Sequence, residues 1–239
     1  MTNTHGLWNT IQVLDINNDG KLDFIVGNMG LNTRMKASIE KPLQLYVNDF
    51  DQNGSVEQIL TQYEGDSSFP LVLKGPLLKQ LPYLRKQLLN YDAYKNKTLE
   101  TLFSQDVLDN SLVLKTQILE SQLYINDGKG TYRHSELPSL VQSSPVFTVF
   151  AEKDTLKNWE IILGGNLSKI KPELGINMGS YGWYLKSDGG HIPQLVSSEK
   201  SGLFVDGEIR DIKKLRGVDG FKYLVVRNNC DIVVFEKGS

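Results

Sequence analysis

Cysteine is almost missing from this chain: 239 residues hold one, Cys230. One cysteine closes no internal disulfide, which excludes the small stapled folds of secreted mini-proteins. It fits either a reducing compartment or an envelope protein that dispenses with disulfides. Cys230 opens the strand-like run "CDIVVFE" and reads as a small buried residue rather than a nucleophile. An excess of one charge is missing too. Lys plus Arg number 26 against 28 Asp plus Glu, a net charge of −2. No basic field suits nucleic acid, and any functional charge must be local. No apolar run approaches the roughly 20 residues of a membrane helix, so no membrane insertion is expected. The opening "MTNTHGLWNT" has neither the basic nor the apolar region of a signal peptide. The three histidines, His5, His134 and His191, stand in no zinc-binding spacing, and no GxSxG, Walker or GxGxxG sequence occurs. No catalytic residue and no organic cofactor site are assigned.

What is present is a series of short β-branched and aromatic runs bounded by Gly, Asn or Asp: "TIQVL", "DFIVG", "LQLYV", "VFTVF", "EIILGG", "GWYLK", "KYLVV" and "DIVVFE". Their length and composition predict a mainly β, antiparallel protein. Asp-Gly between strand-like flanks predicts hairpins at 123–132 and 183–192. One segment, residues 70–110, departs from the pattern. Leu77, Leu81, Leu84 and Leu88 recur at helical spacing, Pro76 and Pro82 stand where they would open helical turns, and Thr98 is placed to cap the turn before "LETLF". A helical insertion of about 35 residues is expected there, with Lys79, Arg85 and Lys86 as its solvated face. Trp8, Trp159 and Trp183 read as core residues. Tyr181, Trp183 and Tyr184 in "GSYGWYL" also offer rings that could stack on a sugar or a partner.

The chain repeats itself. "VLDINNDGKLDFIVGN" (13–28) aligns with "VNDFDQNGSVEQILTQ" (47–62), more loosely with "VFAEKDTLKNWEIILGGN" (149–166), and again with "IRDIKKLRGVDGFKYLVVRNN" (209–229). Each unit is a strand, a turn loop and a second strand.

The first loop places Asp15, Asn17, Asp19 and Asp23 at positions 1, 3, 5 and 9, with Gly20 at 6 and the Lys21 carbonyl at 7. The second places Asp49, Asp51, Asn53 and Glu57 likewise, with Gly54 at 6 and the Ser55 carbonyl at 7. Oxygens at these offsets of a tight turn converge, and glycine permits the left-handed backbone that makes the turn. Like charges so crowded repel unless a cation neutralises them. An all-oxygen set on a flexible loop suits Ca²⁺, so two Ca²⁺ sites are expected. An EF-hand is excluded, because position 12 is Val26 or Leu60 and the flanks are strand-like. In the third repeat, aligning Glu160 with position 9 puts Glu152 and Asp154 at 1 and 3 but Leu156 at 5 and Lys157 at 6. That loop is expected to hold no metal.

On these loops, and on "QLYINDGKGTY", the chain resembles the FG-GAP or VCBS-type calcium repeats of β-propellers, including the head of integrin α chains. Through "LYVNDFDQNGSVEQILTQY", "LLKQLPYLRK", "ELGINMGSYGWYL" and "SGLFVDGEIRDI" it is similar to the C-terminal part of the long VCBS repeat proteins of Bacteroidetes related to the UnbV/ASPIC group. The resemblance implies calcium-stabilised blades, a cell-envelope or extracellular location, and a structural or interaction role toward a protein or carbohydrate ligand. The expected fold is therefore a partial β-propeller of about three to four antiparallel blades spanning 1–239, with the 70–110 insertion. Too few blades to close a ring suggests a piece of a larger propeller, the remainder of which would be a partner. The alternative is part of a polysaccharide-active lyase or hydrolase on the same scaffold. A pocket of convergent titratable groups on the central axis, away from the loops, would favour it.

Overall fold

In the computed structural model, which describes residues 1–188, 192–218 and 220–237, every one of the four sequence repeats is an antiparallel hairpin. The strands are β1 (Thr10–Leu14), β2 (Asp23–Gly27), β3 (Leu43–Asn48), β4 (Glu57–Glu64), β5 (Ser67–Pro70), β6 (Leu112–Thr116), β7 (Gln122–Asn126) and β8 (Tyr132–Glu136). After them come β9 (Val146–Lys153), β10 (Trp159–Gly165), β11 (Trp183–Ser187), β12 (Gln194–Val196), β13 (Glu208–Gly217), β14 (Gly220–Asn228) and β15 (Val233–Glu236). The repeats are β1–β2, β3–β4, β9–β10 and β13–β14. Each seeds one antiparallel sheet, in the orders β1-β2-β7-β8, β5-β4-β3-β6, β12-β11-β10-β9 and β13-β14-β15. The mainly β, antiparallel expectation holds.

The chain divides into two units. One comprises residue 1, 7–34 and 119–239; the other comprises 2–6 and 35–118. In the first, β9 packs against β1 and β2 on one side and against β13 on the other. The β9–β12 sheet is thus covered on both faces. Strand β10 shows the consequence: Ile161 and Leu163 enter a core with Leu14, Ile25 and Leu123, while Ile162 points the opposite way toward Ile209, Ile212 and Val225. Alternate side chains of a strand face opposite sides, so a strand buried on both reads as the unbroken apolar run "IIL". Glycine ends two of these strands because backbones meet there. A Cβ on Gly27 would lie 2.4 Å from the Val146 carbonyl oxygen, and one on Gly165 only 1.5 Å from that of Pro145. The asparagine that follows is buried in both cases, Asn28 and Asn166. Asn166 donates to the Ser180 and Gly207 carbonyls at 2.6 and 2.8 Å and accepts from the Ser180 N–H at 3.1 Å.

In the second unit the β3–β6 sheet is covered by short helices rather than by one long one: α1 (Lys74–Gln80), a 3₁₀ turn (Pro82–Lys86), α2 (Leu99–Leu102) and α3 (Gln105–Asp109). The leucine face is as expected. Leu77, Leu81, Leu84 and Leu88 are each no more than 1% exposed and pack with Phe50, Ile59 and Phe103. The new turn at Pro82 is as expected too, for Leu81 lies at φ −123°, ψ 76°. Proline crowds the residue before it out of the α region, so Pro82 ends α1 and opens the next turn. Thr98 is the N-cap residue of α2 but makes no side-chain capping bond. Lys79, Arg85 and Lys86 are exposed.

Two further expectations are corrected. Cys230 is exposed, because the chain turns there and β15 begins only at Val233. Trp8 is exposed rather than core, since it precedes β1 instead of lying in it. Trp183 is buried in the core, while Trp159 is partly buried against it. The hairpin expected at 123–132 forms, though through a five-residue loop between Asn126 and Tyr132 rather than a two-residue turn. The strands of the 183–192 hairpin pair as β11 and β12, and residues 189–191 of its turn, with His191, lie outside the described residues.

Two measurements test this account. Leu84→Ala, which removes a fully buried side chain, should destabilise the protein by about 3 kcal/mol in chemical denaturation, whereas Leu89→Ala, at an 80% exposed position, should cost no more than about 0.5 kcal/mol. Glu208, 4% exposed, accepts from Ser168 Oγ at 2.6 Å, Arg210 at 2.6 Å and Asn228 at 2.8 Å. Burial alone would raise its carboxyl, but these donors outweigh burial and hold it at about 2 against an ordinary 4.5. A depressed acid stabilises the fold above its unfolded value and loses that contribution as pH falls from 4.5 through about 2. Glu208→Gln should therefore lower the melting temperature at pH 7, by an effect of the order of 3 kcal/mol, and flatten the acid limb of a melting-temperature profile.

Candidate metal centre

Both acidic loops fold by the same local rules. The residue at position 1 caps the turn with its carboxylate. Asp15 accepts from the N–H groups of Asp19 and Gly20, both at 3.0 Å, and Asp49 accepts from Asn53 and Gly54 at 3.0 and 2.8 Å. Position 5 repeats the motif two residues on, with Asp19 accepting from the Lys21 N–H at 2.9 Å and Asn53 from that of Ser55 at 2.7 Å. Positive φ falls at the same places, Asn18 and Gln52 near 58° and 57°, then Gly20 and Gly54 at 82° and 87°. No atom lies within 4 Å of a Cβ built on either glycine. Glycine is needed there for its backbone conformation, not for space.

Position 9 is where each loop meets the core. Asp23 is fully buried and accepts from the N–H groups of Ile16 at 3.0 Å and Asn126 at 2.7 Å. Burial pushes its carboxyl up, the charges of Asp19 and Asp15 add to the push, and the two backbone bonds offset only part of it. Glu57, 8% exposed, accepts from the Phe50 N–H at 3.1 Å. Neither acid has a cationic partner among the described residues.

The loops differ at position 3. Asn17 in the first turns its oxygen to the Asp19 N–H at 3.1 Å, and Asp19 also forms a 3.6 Å ion pair with Lys21. In the second, Asp51 keeps one buried carboxylate oxygen with no hydrogen-bond partner. Asp49, Asp51 and Glu57 each bring a carboxylate oxygen within 4.8 Å of the others. This triad could hold a metal ion. Among the described residues it is the one such cluster, and Asp15, Asp19 and Asp23 are not gathered in the same way. An orphaned buried oxygen and an all-carboxylate donor set fit a hard cation. Asn53 and the Ser55 backbone stand in the same turn. The first loop is instead tied to its neighbour, since the Trp159 indole donates to the Asp15 carbonyl at 2.6 Å and Lys153 to Asn18 at 2.6 Å.

In the third repeat the register expected from sequence is wrong. Glu160 pairs directly with Glu152 across the β9–β10 ladder, so Glu152 lies within a strand and not at the head of a loop. The loop is the five residues Asp154–Asn158, with Asp154 accepting from the N–H groups of Leu156 and Asn158 at 2.8 and 2.9 Å and Lys157 at φ 65° in place of glycine. Asp127 makes the same turn before β8, accepting from Lys129 and Thr131. Glu152 is held by Lys214 and the Tyr223 hydroxyl. Glu160, 5% exposed, pairs with Lys186 at 3.2 Å and with Lys237. Burial would raise the Glu160 carboxyl, yet bonds from Lys237, Tyr184 and Lys186 outweigh it and hold it below the ordinary range. Lys186, Lys214, Lys237 and Tyr223 were not singled out from sequence, and Tyr184 was noted only as a stacking ring, although the Glu160–Lys186 contact is a cross-strand pair that strand alternation could have located.

No protein-family model matches the chain, and no curated protein matches it.

The buried acid of the first loop is directly testable. Asp23→Ala would leave the Ile16 and Asn126 N–H groups without their acceptor, at about 1–3 kcal/mol for each donor left unsatisfied. A melting temperature several degrees lower, and faster hydrogen exchange at those two amides, is the expected result in the presence of chelator as well as metal.

Proposed function

We propose that the chain is a calcium-binding β-repeat module of the propeller type, in which the ion supports the fold and the module serves a structural or interaction role in a cell-envelope or extracellular protein. The observation that carries this reading is the pair of buried acids that end the acidic loops. Asp23 and Glu57 are withdrawn from water with only backbone donors against them. An unpaired buried carboxylate is costly, and a dication held by the same loop removes that cost. Asp49, Asp51, Asn53, Glu57 and the Ser55 carbonyl would hold one ion; Asp15, Asn17, Asp19, Asp23 and the Lys21 carbonyl would hold the second.

The propeller reading is supported within the first unit by three antiparallel sheets whose first strands adjoin, β1 to β9 and β9 to β13. The resident lysines on Glu152 and Glu160 favour a third hairpin that needs no ion. Outside the cell calcium is millimolar, enough to fill loops of millimolar-range affinity.

A ligand bound only to the native state stabilises it by RT ln(1 + [L]/Kd), about 2.7 kcal/mol at a hundredfold excess over Kd, or a rise of about 5–10 °C for a chain this size. Calcium should raise the melting temperature relative to chelator by that order, and magnesium by less. Asp51→Ala and Asp19→Ala should each remove a large part of the difference. Identical melting of the wild-type protein in calcium and in chelator would overturn the reading.

A further inference from the structure

Away from both acidic loops, the first unit contains a cavity of about 660 Å³, inside the range of about 300–1,000 Å³ typical of small-ligand sites. Its walls come from β9–β12, β14, β15 and the segment around α4 (Ser198–Ser201). The apolar side includes Phe150, Ile162, Leu203, Val205 and Val233, and aromatic rings are added by Tyr184, Tyr223 and Phe235. Tyr223 stacks on Phe235 at 5.3 Å between centroids and meets Phe150 edge-on at 5.7 Å, so the rings form a fixed platform rather than loose side chains.

The polar side is equally organised. Glu152 and Glu160 face the cavity with the hydroxyls of Tyr223 and Tyr184 bonded to them. Burial and those bonds push both phenols well above the ordinary tyrosine value, so they remain donors at neutral pH. A carboxylate oxygen has two lone pairs, so each glutamate keeps acceptor capacity beyond its own lysine and tyrosine. The charges do not cancel. Lys214 pairs with Glu152 and Lys222 with Glu236 from outside the lining, which leaves the three lining lysines, Lys186, Lys200 and Lys237, facing the single further carboxylate of Glu160. Lys186 and Lys237 share one carboxylate, and Lys200, exposed at the cavity wall, has no ion-pair partner among the described residues.

A ligand that answers all three features carries an apolar face for the rings, hydroxyls for the carboxylates and phenols, and a negative charge for the surplus ammonium groups. A fatty acid lacks the hydroxyls, a neutral sugar lacks the charge, and a simple anion lacks the face. We propose that this cavity binds an acidic sugar, a pyranose ring bearing a carboxylate. The ring's C–H face lies on the tyrosine and phenylalanine platform, its hydroxyls meet Glu152 and Glu160, and its carboxylate meets Lys200 and Lys186. Both glutamates are already engaged by lysine, so the site is one of binding and no bond-breaking step is assigned to it. The site does not depend on the calcium reading, since none of its residues belongs to an acidic loop.

The test is isothermal titration of the whole chain with a trimer of galacturonate and, in parallel, with the neutral galactose trimer. The acidic trimer should bind at least tenfold more tightly than the neutral one and should weaken as salt is raised. Lys200→Ala, at an exposed position, should weaken it about tenfold, as expected for one charge-assisted contact of about 1.4 kcal/mol, without changing the melting temperature. Asp51→Ala should leave it unchanged, which separates the cavity from calcium bridging by the loops. Equal affinity for the two trimers, no binding at millimolar concentration, indifference to Lys200→Ala, or loss of binding in a folded Asp51→Ala protein would each overturn the proposal.

Discussion

A buried carboxylate has to be answered by something, and the way each one is answered organises this molecule. Among the described residues four acidic side chains are buried: Asp23, Glu57, Glu160 and Glu208. All lie at or next to the first residue of a strand belonging to one of the four repeated hairpins. Transfer of an ionised group out of water is prohibitive unless it gains charge partners and hydrogen bonds. Glu160 has two lysines, and Glu208 has Arg210 together with donors from Ser168 and Asn228. Asp23 and Glu57 have backbone N–H groups alone, and they are the two that stand at the end of loops filled with further oxygen ligands.

This difference explains why the loops that share a backbone diverge in their side chains. Where neighbouring strands of the chain supply a cation, the extra acids are unnecessary and the loop shortens to the five residues Asp154–Asn158, with lysine tolerated at the left-handed position. Where they supply none, the loop keeps eight residues between its closing pair, Leu14 with Asp23 or Asn48 with Glu57, and lines them with oxygen. The first loop is intermediate. Lys21 partly neutralises Asp19, and Asn17 supplies an oxygen without a charge. The second concentrates three carboxylates and leaves Asp51 an oxygen unmatched, which makes it the stronger of the two claims on a cation.

Much of this was legible in the chain because hairpins and glycine turns are local. The strand–loop–strand unit, the left-handed Gly20 and Gly54 and the leucine face Leu77, Leu81, Leu84 and Leu88 all follow from neighbours within a few positions. What was not legible depends on partners distant in sequence. Lys237 and Lys214 reach Glu160 and Glu152 from 77 and 62 residues away, and no spacing rule connects them. The slip in the third loop has the same origin. Alignment by Glu160 treats an acid at a strand start as a loop ligand, whereas the ladder makes Glu152 its cross-strand neighbour, a choice fixed only when β13 and β14 supply the lysine and tyrosine between them. The turn opened by Pro82 belongs with the legible features, since it is a local steric effect of proline on the residue before it.

The two ways of answering a buried acid have different consequences for the molecule as a whole. A lysine within the chain is always present, so the β9–β12 and β13–β15 sheets, which also wall the aromatic cavity, carry a charge balance independent of surroundings. A bound ion is present only when the medium supplies it, so on the proposed calcium reading the loops after β1 and β3 would be conditional elements whose order follows the free concentration of the cation. These loops and the cavity are built from different residues, and among the described residues nothing in the hydrogen-bond network around Glu152 and Glu160 passes through Asp19 or Asp51. On that reading a change in calcium would act on the stability of the loops and of the hairpins they close, while the charge pairing at the cavity wall rests on contacts the chain makes for itself.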